Sequence, residues 1–486
     1  MVVDTSFDLK TADPAREFET TGAIVSHAIY ETLLTFKGDD VTQPVDGLAS
    51  YTMSDDAKVM TLTVKEGHTF SDGSPLTVDD VVFSLERVQG IKGNPSFLLD
   101  GIKIAKVDEK SLTMTSQDAN PALPFILPNG ALGIVNSKVV KANGGTTDAN
   151  DGAEAFLNKT SAGSGPYELE SYDVASQVVF TANKNYSGPV TRGHDRVILR
   201  NVAGPTQLLN IQAGDSQVAL DLNPDQAKEL KSGDVKLISG PSPYMIFVLM
   251  NQNPAVNKFT SNQDFMTAVR RGIDYGKIIN LAGEGAVQPG GVIPSLFVGA
   301  LKTDPSNSFD ASASKAALAK SGYNGEEILL NFPNDITVQG LELQSIAVSV
   351  QAQLKSIGIN IKLAPQPVAT ELDSYRGGKE TLGLWYWGPD YPDPTDYLVF
   401  TPGQLVGLRA GWAADANAEI TGLAEKAKAA TGNEARQAAY EALQKAMNVS
   451  GPFIPLLQPA KNVATASTVS EVSLNPVWTI DLAGIK

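Results

Sequence analysis

The chain has no cysteine in 486 residues. That excludes disulfides and thiolate metal sites, and it leaves an exported protein permitted. Histidine is nearly absent: only His27, His68 and His194 occur, and none has a neighbour at ligand spacing. No apolar run reaches the ~18 residues needed to span a bilayer. Basic residues are outnumbered, 38 Lys and Arg against 54 Asp and Glu, for a net charge of -16. The acidic excess argues against a nucleic-acid partner and against a polybasic membrane patch. Phosphate loops, GxSxG elbows and HExxH helices are all missing. Without a catalytic constellation, a binding protein is the better reading than an enzyme, with no metal or cofactor required.

Aromatic residues make up only 7% of the chain, so their clustering in Leu384 to Pro394, LWYWGPDYPDP, stands out. Pro389, Pro392 and Pro394 fix φ and remove three backbone donors, so no helix or central strand runs through. Gly383 to Trp385 reads as the end of a buried strand, and the stiff loop follows at its carboxyl end. Ligands in open α/β sheets gather outside such strand ends. Trp385, Trp387, Asp390 and Tyr391 are the first candidates for gripping a small molecule. A packing corner uses the same residue types. Asp390 and Asp393 also offer a carboxylate pair for hydrolysis, although three residues apart in a proline-locked loop they suit one ligand contact and one turn former better.

The rest of the chain reads as α/β in more than one domain, as its length requires. Residues 1–9 hold a short strand, and residues 20–34 a helical spacing. Met60, Leu62 and Val64 alternate as a strand. Thr77 and Asp80 form a capping-box pattern ahead of a stripe at Val78, Val81, Val82, Leu85 and Val88. A hairpin is expected at 165–182, then strands at 197–200 and 218–222 and a helix at 206–213. Tyr244 to Met250 is a buried strand. Strand 327–332, helix 343–357 ending at Gly358, and strand 359–363 make a βαβ unit with parallel pairing.

Several stretches then match one family in order. FSDGSPLTVDDVVFSLERV (70–88), SGPYELESY (164–172), NKNYSG (183–188), Asn251 with Arg270 and Ile273-Asp274, and WGPDYPDP resemble the signatures of ABC-importer solute-binding proteins. The class is the one that includes dipeptide-, oligopeptide- and nickel-binding members. The resemblance implies a type II periplasmic-binding-protein-like fold: two α/β lobes closing on a ligand, plus an inserted lobe. It implies lobe I at 1–43, 164–245 and 469–486, lobe II at 44–163, and lobe III at 246–468. It implies a monomer that hands a solute to ABC permease subunits, outside the cytoplasm, with a leader, of lipoprotein type, encoded ahead of Met1. Asp390 matches the position that meets a peptide's ammonium group. Tyr244, Asn251, Trp412 and Arg409 complete the expected ligand set. Residues 331–366 contain no arginine for a peptide carboxylate. The tryptophans keep β-linked oligosaccharides as the second ligand class, behind short peptides, and nickel has little support.

Overall fold

The computed structural model describes residues 1–230, 233 and 235–486. The chain divides into two compact units. Unit 1 comprises Met1–Leu222, Leu230–Leu237 and Val463–Lys486; unit 2 comprises Asn223–Glu229 and Ile238–Asn462. The segments expected as lobe II fall in unit 1, and those expected as lobe I fall mainly there, apart from 223–229 and 238–245; those expected as lobe III fall in unit 2 up to Asn462. Among the described residues, no helix is long and apolar enough to cross a membrane.

Unit 1 carries a seven-stranded mixed sheet. Its first strand, Val2–Thr5, lies parallel to Arg196–Asn201 on one side and to Val218–Ala219 on the other. The hairpin Tyr167–Asp173 with Gln177–Ala182 extends one edge. A separate antiparallel sheet holds Ala49–Met53, Val59–Val64, Ser111–Ser116 and Ile102–Lys106. The expected strand at 218–222 is paired only over Val218–Ala219. The first helix also ends sooner than its spacing predicts, at Ile29, and Leu34–Lys37 is a strand. Tyr30 turns extended where Gly163 and Gly165 cross the helix end. A Cβ on Gly163 would lie 2.1 Å from the Ile29 carbonyl oxygen, so only glycine lets the two backbones meet.

The signature stretches of unit 1 are polar staples. Asp80 accepts from the Thr77 N–H at 3.0 Å and from the Ser137 N–H and hydroxyl at 3.0 and 2.7 Å. Arg87, 1% exposed, donates to both oxygens of Asp13 at 2.6 Å and to both of Asp151 at 2.8 Å. Asn183 Nδ2 donates to the Gly165 carbonyl at 2.8 Å, and Asn185 Nδ2 to that of Ser71. Buried polar groups persist only when paired, so each of these residues fixes the register of segments far apart in sequence.

Unit 2 is built on a five-stranded sheet in the order Ile361–Gln366, Ile328–Pro333, Leu382–Trp387, Met245–Met250, Phe453–Leu457. Met245–Met250 runs antiparallel to both its neighbours, and the remaining four strands share one direction. The helix Leu343–Ile357 joins two parallel strands, ending at Gly358 with φ 102°. That is the βαβ unit and the left-handed cap that the sequence calls for. Period-2 alternation splits the sheet faces. Ile246, Val248, Leu382 and Leu384 pack on helices through Phe265, Val269, Leu354 and Ile357. The other face is aromatic: Phe247, Trp387, Phe400 and Phe453 meet edge to face at 5.0–5.8 Å.

Candidate functional site

The proline-locked loop leaves the sheet at the carboxyl ends of the four co-directional strands. Met245 pairs with Trp387 and Met250 with Leu382. Tyr244 therefore lies beside the loop, and Asn251 lies beyond the opposite end of the sheet. The six residues of Met245–Met250 make five steps, so the strand's ends lie roughly 17 Å apart at about 3.3 Å per step. The sequence-predicted residues thus fall into two groups, which the fold keeps apart.

The first group is Tyr244, Trp387, Asp390 and Tyr391, all half-buried. Gly388 is pressed against the Tyr244 ring: a Cβ there would lie 2.4 Å from Cε1. Behind the loop sits Asp396, which sequence reasoning did not single out. Its Oδ2 accepts from Trp387 Nε1 at 3.4 Å and from the Asp390 N–H at 3.2 Å. Burial raises Asp390 to about 6. Burial first, and then the charge of Asp390, hold Asp396 well above the usual carboxylate range. Asp393 is different. Nη2 of Arg436 donates to both its oxygens at 2.6 Å, and its Oδ1 also accepts from the Thr395 N–H and hydroxyl at 2.9 and 2.6 Å. Asp393 is the loop's anchor, which removes it as the second carboxylate of a hydrolytic pair.

The second group is Asn251, Arg409 and Trp412, with Trp385 between the ends. Asn251 is fully buried, and its Nδ2 donates to the carbonyls of Gly378 and Glu380 while Oδ1 accepts the Asn253 N–H. Its carboxamide is spent on holding that end of the sheet. The Arg409 guanidinium lies 4.8 Å from the centre of the Tyr375 ring, which in turn stacks on Trp385 at 4.2 Å. Trp385, 3% exposed, donates from Nε1 to both oxygens of Glu380, at 3.1 and 2.8 Å. Trp412, 2% exposed, packs on Phe453. A cavity of about 600 Å³ lies at this end, lined by Gln252, Gln263, Trp412, Asn417 and Ser450 among others. Of the three tryptophans expected as a stacking platform, Trp385 and Trp412 are almost fully buried, Trp412 with an edge on that cavity, and only Trp387 stays half-buried, beside Asp390. The burial of Trp385 was not legible in the motif, where Trp385 and Trp387 differ only by two positions.

The fold and this loop define a solute-binding protein. The family model "Bacterial extracellular solute-binding proteins, family 5 Middle" matches residues 43–404, so the chain belongs to that family. Its place of work is outside the cytoplasm. The chain is similar to the probable D,D-dipeptide-binding periplasmic protein DdpA of Escherichia coli, 28% identical over 98% of this chain and 92% of that one. It is also similar to di/tripeptide-binding protein 4 of Pseudomonas aeruginosa, at 24% identity over 94% of this chain and 90% of that one. Among solved structures it matches the ABC transporter substrate-binding protein CtaP from Listeria monocytogenes. There the TM-score is 0.85 and the identity 19%, over 100% of this chain and 98% of that one.

Proposed function

We propose that this protein captures a short peptide with a free amino terminus, acts as a monomer, and delivers its cargo to an ABC permease. The observation that carries this reading is Asp390: a half-buried carboxylate on a rigid aromatic loop at the carboxyl ends of the strands, pushed up to about 6 by burial. A carboxyl destabilised by burial gains most from an organic cation that enters with it. The peptide-binding relatives above point to the same ligand class. Tyr244, Trp387 and Tyr391 supply flat faces around the carboxylate for the peptide's first residues. Oligosaccharide capture is weakened by the burial of Trp385 and Trp412, which leaves Trp387 as its one half-buried indole.

Isothermal titration calorimetry with di- and tripeptides tests the reading. Asp390→Asn is expected to weaken binding by roughly 2–5 kcal/mol. N-acetylated peptides, which lack the ammonium charge, are expected to lose about as much against the unmodified protein. Tight binding of neutral oligosaccharides with no heat from any peptide would refute it.

A further inference from the structure

Three aspartates stand in the seven residues from Asp390 to Asp396, and the structure treats them differently. Asp393 makes short bonds, four of them between 2.6 and 2.9 Å, with one guanidinium among the donors. Those are the lengths of charge-assisted bonds to an ionised carboxylate. Asp396 is as deeply buried, yet its two contacts are long, 3.2 and 3.4 Å, and both donors are neutral. An ionised carboxylate held so would carry an uncompensated charge in the interior, at a cost of several kcal/mol.

We propose that Asp396 is a specificity-determining residue: a neutral buried acid that fixes the Asp390 loop and leaves it a single negative charge, so the site takes one ammonium group and turns away divalent cations. This rests on the peptide reading above and deepens it. Were Asp390 and Asp396 both ionised, the loop would carry two negative charges close together, a match for a divalent cation rather than for one ammonium. With the proton kept on Asp396, the charge matches that of one ammonium. The charged and titratable groups acting on Asp396 are Asp390, Asp393, Tyr391 and Tyr397. Arg436 acts one step away through Asp393, with Tyr440 beside that pair, and Tyr244 through Tyr397. Asp396 touches Trp387 and the Asp390 backbone, so it works by positioning as well as by charge.

The test is calorimetry of alanyl-alanine binding at pH 7.5 in phosphate and in Tris, on the unmodified protein and on Asp396→Asn. Asparagine copies the neutral acid, keeping an oxygen acceptor for Trp387 and Asp390. The expected result is an affinity within about threefold of the unmodified protein, and no proton released by either protein at this pH. Release of close to one proton by the unmodified protein would overturn the proposal. So would a loss beyond about thirtyfold in Asp396→Asn with its melting midpoint unchanged, or competition by Ca²⁺ or Ni²⁺ below about 1 mM. Alanyl-alanine and longer peptides all failing to bind the unmodified protein would sink the peptide reading and this one together. Binding by the unmodified protein with any of the adverse results above would sink this one alone.

Discussion

Replacing Asp393 by asparagine isolates one charge. The Asp393 side chain is fully buried and that of Arg436 is 2% exposed. Asparagine still caps the turn, because its oxygen can accept the Thr395 N–H that Asp393 holds at 2.9 Å. The change therefore takes a carboxylate away from a buried guanidinium and alters little else. Removing one member of a buried pair costs roughly 3–5 kcal/mol, because the remaining charge keeps its desolvation penalty. Arg436→Met makes the reciprocal cut. The double replacement removes both charges and should recover a large part of either loss, giving a coupling energy of at least about 2 kcal/mol.

Urea unfolding followed by tryptophan fluorescence reads this directly. Trp385, Trp387 and Trp412 lie in unit 2 and only Trp478 lies in unit 1, so the signal is weighted toward the unit that carries the pair. The two units need not unfold together, and the unit 2 transition is the one to fit. A cost below about 1 kcal/mol for Asp393→Asn, or a double variant no better than the singles, would refute the anchor role.

Arg87→Met should destabilise unit 1 by about 3 kcal/mol, since it takes the buried guanidinium from two aspartates with fully buried side chains and leaves each with Arg16, at 3.3 and 3.0 Å, as its ion-pair partner; chemical denaturation measures it. Arg87 and the other hydrogen bonds to Asp151 hold this carboxyl down at about 2 against burial, so their stabilisation is present above about pH 4 and drains as pH falls through about 2. Acid titration of unit 1's transition checks this; a flat profile there would contradict it. Glu380 behaves in the opposite sense. Burial and the carboxyl of Glu371 raise it to about 9, so the fold holds its proton more tightly than the unfolded chain, and stability falls as pH rises from about 4.5 toward 9. Glu380→Gln keeps an acceptor for Trp385 and should flatten that fall in unit 2's pH–stability curve. Trp385→Phe should cost unit 2 about 1–3 kcal/mol by leaving the buried Glu380 short of a donor, with peptide affinity nearly unchanged. Trp387→Ala should weaken peptide binding by less than Asp390→Asn does in the same calorimetry, because it leaves the ammonium paired.

Much of the fold was legible because its signals are local. The stripe after Thr77, the βαβ unit ending at Gly358 and the apolar run from Tyr244 to Met250 each follow from backbone periodicity and a cap. The premature end of the first helix was not legible, because its cause is a backbone crossing by Gly163 and Gly165, some 135 residues away in sequence. The site was half legible for the same reason. The loop's prolines announce a rigid element, and Asp390 stands where that element meets the strand ends. Asn251 and Trp412 were grouped with it on sequence grounds alone. An antiparallel register puts the two ends of Met245–Met250 on opposite sides of the sheet, and no single-strand pattern shows which neighbour runs which way. Asp396 gave no signal, because a buried neutral acid and a surface turn former are the same letter.

The signature residues and the ligand residues answer to different physics. Arg87, Asp80, Asn183 and Arg270 are buried polar groups, and each is engaged with backbone or an opposite charge brought from a distant segment. A hydrophobic residue of similar volume can replace a core leucine at modest cost; an arginine that closes on Asp13 and Asp151 at once has no such substitute. Such positions hold the scaffold together without saying anything about cargo. The proposed ligand positions face the reverse constraint. Asp390 is destabilised by its burial, and Tyr244 and Tyr391 sit half-buried on a loop whose shape is set by Asp393, Arg436 and three prolines. The scaffold holds a poorly solvated carboxylate in place, and on the proposed reading the free energy withheld there is what a cation of the right charge recovers on entering.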